Sequence, residues 1–294
     1  MAKSKVYFSK ILSSQRVIDL YNAVGLPLKG RIGVKVHSGE EGNQNFLRPE
    51  FLKPMIDYVE GTVIECNTAY EGSRNTSEKH KRTFEKHGWY KYFVVDLMDE
   101  EDDDIVLDIP NGKYIKKDYV GRHLDRYDSI LVLSHFKGHP MGGYGGALKQ
   151  LSIGFASSRG KAYIHSAGRT QDQFNLWNDL PSQEEFLGSM ADAASAVHNK
   201  FKGKIVYINM MCNMSVDCDC CAVAEDPCLK DIGILASTDP IALDRACIDL
   251  VKNSNDPGKE HFMERVTSRM GECTIIAAEN LGFGSQDYEL ISID

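Results

Sequence analysis

The sequence predicts an α/β fold with a mostly parallel sheet flanked by helices, and three observations carry that prediction. Short apolar runs ending in polar residues, such as RIGVKVHSG (31–39) and GTVIECNTAY (61–70), alternate with segments of helical spacing. Strand–helix–strand–helix alternation is the pattern of a parallel sheet. With 294 residues and 42% apolar content, the chain can bury a large core, as a single domain or as two lobes at about 1–125 and 126–294.

Each element has its own signal. Val17, Ile18, Tyr21 and Val24 follow helical spacing after Ser13 and Ser14, and Gly25 and Pro27 stop that helix. RPEFLKPMIDYVEG (48–61) presents Phe51, Leu52, Met55, Ile56 and Val59 on one face. NTSEKHKRTFEKHG (75–88) has Thr76 or Ser77 as its cap and Gly88 as its stop. DEEDDD (99–104) is read as a solvated acidic loop. DSILVLSHFKGH (128–139) and GKIVYINMMCNM (203–214) are strands of the buried type, while GALKQLSIGFAS (146–157) and QEEFLGSMADAASAVHNKF (183–201) are helical. DIGILASTDPIALDRACIDLVKN (231–253) gives a strand, a turn at Asp239–Pro240, and a helix that Asp239 caps. GECTIIAAENLGFG (271–284) is read as a last short strand. His80, His87, His123, His198 and His261 stand among charged or helical residues and are read as surface groups.

Charge and composition exclude several classes. The 34 Lys+Arg against 42 Asp+Glu leave a net charge of −8, which argues against a nucleic-acid surface. No apolar run is long enough to cross a bilayer and the N-terminus carries no apolar leader. The expectation is therefore a cytoplasmic protein with neither membrane nor nucleic acid as partner. Eight cysteines are present, five of them between Cys212 and Cys228. A reducing compartment keeps thiols free, so this clustering points to a metal site or to redox chemistry.

Four segments could carry chemistry. SHFKGHPMGGYGGALKQLSIG (134–154) follows a buried strand and offers His135, Lys137, His139, Lys149 and the glycines Gly142, Gly143, Gly145 and Gly146. Ligands of open α/β sheets bind beyond the carboxyl ends of strands. There a histidine moves protons near neutrality, a lysine neutralises an anion or acts as a nucleophile, and glycine amides face an anion. In CNMSVDCDCCAVAEDPC (212–228), a subset of Cys212, Cys218, Cys220, Cys221 and Cys228 would bind zinc or an iron–sulfur cluster, form a thiol switch, or simply be buried thiols. An extended chain would put Cys218 and Cys220 on one face and Cys221 on the other. Asp239 is a candidate for cofactor binding as well as a cap. Asn45 and Arg48 precede a helix and are placed to hold an anion, and His37 and NTAYEGSRN (67–75) end neighbouring strands that could face the same cleft.

IGVKVHSGEEG, VLSHFKGHPMGGYGGALKQLSIG, the CDC at 218–220 and DIGILASTDPIALDRA together resemble the domain of unknown function family 362, over most of the chain. Many relatives carry an appended ferredoxin module and an iron–sulfur label; no ferredoxin run occurs here. More distantly, HPMGGYGGALKQLSIG is similar to the nickel-dependent lactate racemases, which implies a Rossmann-like arrangement of the same kind. That resemblance implies a catalytic histidine at His139, a lysine tethering a nickel pincer cofactor at Lys149, and a nickel-ligating histidine at His165. It also places Arg48 opposite a substrate carboxylate. The racemases carry an acidic residue where Asn45 stands and a second catalytic histidine near GSRN (72–75), which has none. The expectation is a metal- or iron–sulfur-associated enzyme for redox or proton transfer on a small anion, with a separate electron-transfer protein as partner in the redox case. A non-catalytic metal-binding scaffold and a pincer-nickel isomerase are the alternatives.

Overall fold

The computed structural model describes residues 3–101 and 103–294. The chain opens with β1 (Ser4–Ser9), α1 (Ser14–Val24), β2 (Ile32–Lys35), α2 (Pro49–Tyr58), β3 (Thr62–Glu65), α3 (Ser77–Lys86) and β4 (Val95–Leu97). Ser13 and Thr76 cap α1 and α3 through their hydroxyls, and Gly25 and Gly88 follow the helices in the left-handed conformation. A hairpin of β5 (Asp104–Asp108) and β6 (Lys117–Gly121) leads to the central strand β7 (Ser129–His135). A small hairpin, β8 (Lys137–His139) with β9 (Gly143–Gly145), then turns into α4 (Ala147–Lys149), which widens into a π-turn at Gln150–Gly154. The rest comprises α5 (Ser158–His165), α6 (Gln183–Lys200), β10 (Ile205–Met211), β11 (Gly233–Ser237), α7 (Pro240–Lys252), α8 (Lys259–Ser268), α9 (Glu272–Asn280) and β12 (Tyr288–Ser292).

Eight strands form one sheet in the order β12-β1-β11-β10-β7-β2-β3-β4, and only β11 runs against the others. Strands from before and after residue 125 therefore share a single sheet, with β2 hydrogen-bonded to β7. The central strands are buried on both faces. Ile130 and Val132 of β7 join one core with Ile205 and Tyr207, while Leu131 and Leu133 join the other with Val206 and Ile208. From β2 the chain steps outward through β3 to β4, then returns to lay β7 and β10 on the other side of β2. The β2/β7 boundary is thus the switch point where α/β sheets form their clefts.

Three expectations are corrected. Residues 272–280 form α9 instead of a strand, because Thr274, Ile275 and Ala278 are buried at helical spacing; the last strand is β12. His80, His123 and His198 are buried, and each has a polar partner: Asn67 and Ser38, Asp96, and Tyr207 respectively. In the acidic run, Asp99 is buried and accepts the amides of Asn67 and Ser158; Asp102 lies outside the described residues. No helix among the described residues is long and apolar enough to cross a membrane.

Candidate functional site

Three adjacent strands, β7, β2 and β3, end in polar residues at one edge of the sheet. Lys35, the last residue of β2, is fully buried and donates to Glu65 Oε2 of β3 at 2.6 Å. Burial pushes the Lys35 pKa down; it also opposes ionisation of Glu65, but Lys35, His37, His80 and Arg74 together hold that carboxyl below its usual range. Two residues beyond β2, His37 is pushed to about 4 by burial and by nearby Arg74, and its Nδ1 accepts the Gly39 amide at 3.1 Å. Arg74 is itself buried, donating to Glu40 Oε2 at 2.9 Å and to Tyr70 Oη at 3.1 Å.

At the end of β7, the Asp219 carboxylate meets two side chains, His135 Nδ1 at 2.9 Å and Lys137 Nζ at 2.9 Å. His135 Nε2 also meets the Cys212 carbonyl at 2.6 Å, so both ring nitrogens face acceptors. Gly138 is required here, because a Cβ would lie 2.3 Å from the Val216 carbonyl oxygen. This close approach brings the cysteine segment onto β8. Cys218–Cys221 is a turn, closed by the Cys221 amide on the Cys218 carbonyl at 2.9 Å, and not the extended segment expected. The Cys220 amide points at Cys218 Sγ at 3.4 Å, and the Cys220 thiol hydrogen-bonds Cys221, drawing that thiol's pKa down.

His139 ends β8 with Nε2 3.8 Å from Cys220 Sγ. Its Nδ1 accepts the amides of Gly142 at 2.8 Å and Met141 at 3.1 Å. Beyond the hairpin, the buried carboxylate of Asp244 on α7 accepts the amides of Ala147 and Leu148 and fixes the start of α4, hence Lys149. The Gly142 amide is thus satisfied by His139, and the amides of Ala147 and Leu148 by Asp244. On α5, His165 Nδ1 meets the Lys161 carbonyl at 2.7 Å, and Lys161 Nζ binds the Ala156 carbonyl at 2.6 Å.

These groups enclose a cavity of about 50 Å³, lined among others by Lys35, His37, Glu65, Tyr70, Arg74, His139, Lys149, Lys161, His165 and Cys220. Lys149 Nζ forms no ion pair among the described residues. His135 and Lys137 line a smaller adjoining cavity that shares Lys149. Other candidates lie elsewhere. Arg48 is exposed, stacked over Phe46 at 4.0 Å, and Asn45 is spent on the Glu225 carbonyl. Asp239 sits at the opposite edge of the sheet because β11 is reversed, and its carboxylate holds Ile241, Ala242, Ser4 and Ser285. Cys228 donates to the Met214 carbonyl, and Cys212 packs against the second core. Gly143 and Gly146 abut Gly271 and Asp244.

His139, Cys218 and Cys220 bring their donor atoms within 4.8 Å of one another, the spacing of a cation site. The two sulfurs suit a soft cation. The histidine does not: its Nδ1 already accepts two N–H groups, so the neutral ring keeps its proton on Nε2, the nitrogen a metal would need. No metal step is derived from this set.

What fold and site define is an α/β protein with an enclosed, cation-lined cavity at the switch point of its sheet. The chain belongs to the family described as Domain of unknown function (DUF362), whose model matches residues 32–249. No curated protein matches it. Among solved structures, it is similar to the lactate racemase apoprotein from Thermoanaerobacterium thermosaccharolyticum, at 14% identity and TM-score 0.40, over 70% of this chain and 50% of that one. A Thermotoga maritima protein matches at 11% identity and TM-score 0.41, over 93% of this chain and 60% of that one. The chain spans between half and three-fifths of those two structures.

Proposed function

We propose that this protein is an enzyme that moves a proton on a small anionic substrate held in the cavity at the β2/β7 boundary. One observation carries the reading: His139 and His165, from two different elements, line the same enclosed cavity as the unpaired ammonium of Lys149. Lys149 supplies positive charge for the anion, and Arg74, Lys35 and Lys161 line the same cavity with acceptors of their own. Such groups act strongly where water is excluded, because they need no reorganisation as charge develops. The resemblance of Lys149 to a cofactor-tethering lysine fits its position beside His165, and the intact mass of protein from a host able to make a pincer cofactor reads that modification directly.

A metal-binding scaffold is the second reading, favoured by the approach of Cys218 and Cys220. The two separate by mutation. The enzyme reading expects His139→Ala and Lys149→Ala to abolish cellular function while the protein stays folded. The scaffold reading expects those variants to behave as wild type, and Cys218→Ser to remove both function and a stoichiometric metal measured on anaerobically purified protein.

A further inference from the structure

The two cavity histidines hold their protons on opposite nitrogens. His139 Nδ1 accepts two backbone N–H groups, at 2.8 and 3.1 Å, so its single proton is on Nε2. His165 Nδ1 faces a carbonyl, which only accepts, at 2.7 Å, so its proton is on Nδ1 and its Nε2 is a bare lone pair. Neither ring is free to exchange these roles. His139 is fastened by the turn after β8, and His165 is fastened to its own helix and stacked on Phe186, with ring centroids 5.2 Å apart. A second proton on His139 would point Nδ1–H at two N–H donors. Burial opposes charge at His165, whose ring is pushed to about 4.

We propose that His139 acts as a neutral Nε2–H donor and His165 as the proton acceptor, so that the substrate is a small carbonyl-bearing anion deprotonated at the carbon next to its carbonyl. This rests on the proton-transfer reading above. In the step, the C–H bond breaks, its proton bonds to His165 Nε2, and the electron pair moves onto the carbonyl oxygen. That oxygen takes the hydrogen bond of His139 and the charge of Lys149. A neutral imidazole is a suitable electrophile for an enolate, because its N–H is not lost to the product. Return of the proton from His165 to another atom of the enolate gives a tautomer of the substrate, and no electrons leave the site. The assignment exchanges the roles implied by the racemase resemblance, in which position 139 is the proton-moving group.

Selective ¹⁵N-histidine labelling and long-range ¹H–¹⁵N NMR at neutral pH test the polarity without any substrate. The expected result is the Nε2–H tautomer at His139 and the Nδ1–H tautomer at His165. Peaks are assigned by their loss in His139→Gln and His165→Gln, or by Overhauser contacts to the Gly142 amide and the Phe186 ring should a variant fail to fold. The reverse tautomer at either ring, or a charged His139, overturns the proposal. The chemistry is tested with pyruvate in D₂O. Solvent deuterium is expected to enter its methyl group above the buffer rate, to fall about 100-fold or more in His165→Gln, and to be retained better in His139→Gln, which keeps a neutral donor, than in His139→Ala. Absence of exchange, or exchange indifferent to His165, overturns the step. Normal cellular function in His139→Ala and Lys149→Ala would instead remove the enzyme reading itself, whatever the tautomers.

Discussion

Asp244 Oδ2 accepts the amide of Leu148 at 2.9 Å, one residue before Lys149. The same carboxylate takes Ala147 N–H, Tyr144 Oη–H and Asn209 Nδ2–H, so four donors converge on a group that only accepts. Asp244→Asn would set an amide NH₂ against one pair of these donors inside the core. The expected loss is about 2–4 kcal/mol in urea unfolding, with Asp244→Ala at least as costly. A loss under about 0.5 kcal/mol would show that the start of α4 is held by something else.

Gly138→Ala addresses the other side of the cavity. Its Cβ would press on the backbone of Val216, which cannot swing aside as a side-chain tip can. The expected cost is about 1–3 kcal/mol, accompanied by faster iodoacetamide labelling of Cys220 as the segment leading to Cys218 lifts from β8. Peptide mass spectrometry of labelled protein reads this, and unchanged labelling would separate Cys220 from the Gly138 contact.

The sequence announced β2, β3, β7, β10 and β11, the helices flanking β2 and β3, and the loop carrying His139 and Lys149, because period and punctuation are local. It announced less of the cavity wall. Lys35 and Glu65 read as the ends of IGVK and TVIE, and only their pairing across β2 and β3 makes them a buried ion pair. Asp244 did leave a trace: it shares an apolar helical stripe with Ile241, Ile248 and Val251, where a surface aspartate would not stand. Asp239 misled because the carboxyl end of a strand marks the cleft only when the strand runs with its neighbours, and β11 does not. Arg48 sits outside the cavity and Arg74 inside it, a difference set by the tertiary fold of the 67–76 segment.

Acid should destabilise the fold between pH 6.5 and about 4. Burial holds His165 and His198 at about 4, against 6.5 when exposed, and His80 also lies well below. In that window the unfolded chain binds protons that the folded chain refuses, so stability is full above pH 6.5 and declines as pH falls. Asp244, raised to about 6 by burial, works the other way: its contribution favours the fold at low pH and is lost as pH rises from 3.8 to 6. Burial raises Asp99, Asp118 and Asp192 as well, and they act with Asp244, but the rings lowered by burial, His37, His80, His87, His139, His165 and His198, outnumber these carboxyls, leaving a net loss of at most on the order of 3 kcal/mol per histidine. Urea midpoints from pH 7.5 to 4.5 check it, and His198→Gln should flatten the slope. A level profile would contradict the buried neutral rings.

Access to the cavity should depend on Leu176. Its side chain packs on Ala69, which lines the cavity, and on Ala162 of α5, while neighbouring Phe174, Trp177 and Leu180 remain exposed. Arg169 clasps the base of this segment, with Asp179 at 3.7 Å and Glu185 at 3.1 Å. The cavity of about 50 Å³ has Ala69 in its wall beside this anchor, so release of the strap should widen its mouth. Leu176→Ala removes its only apolar anchor among the described residues. The cluster is small, so the expected loss of global stability is at or below the low end of the ~2–5 kcal/mol typical of buried leucines. Trp177 is 48% exposed and the other tryptophan, Trp89, is 0% exposed, so acrylamide quenching reports on the strap without further substitution. Quenching should rise in Leu176→Ala together with the labelling rate of Cys220. A rise in quenching with no change at Cys220 would mean that the strap moves without opening the cavity.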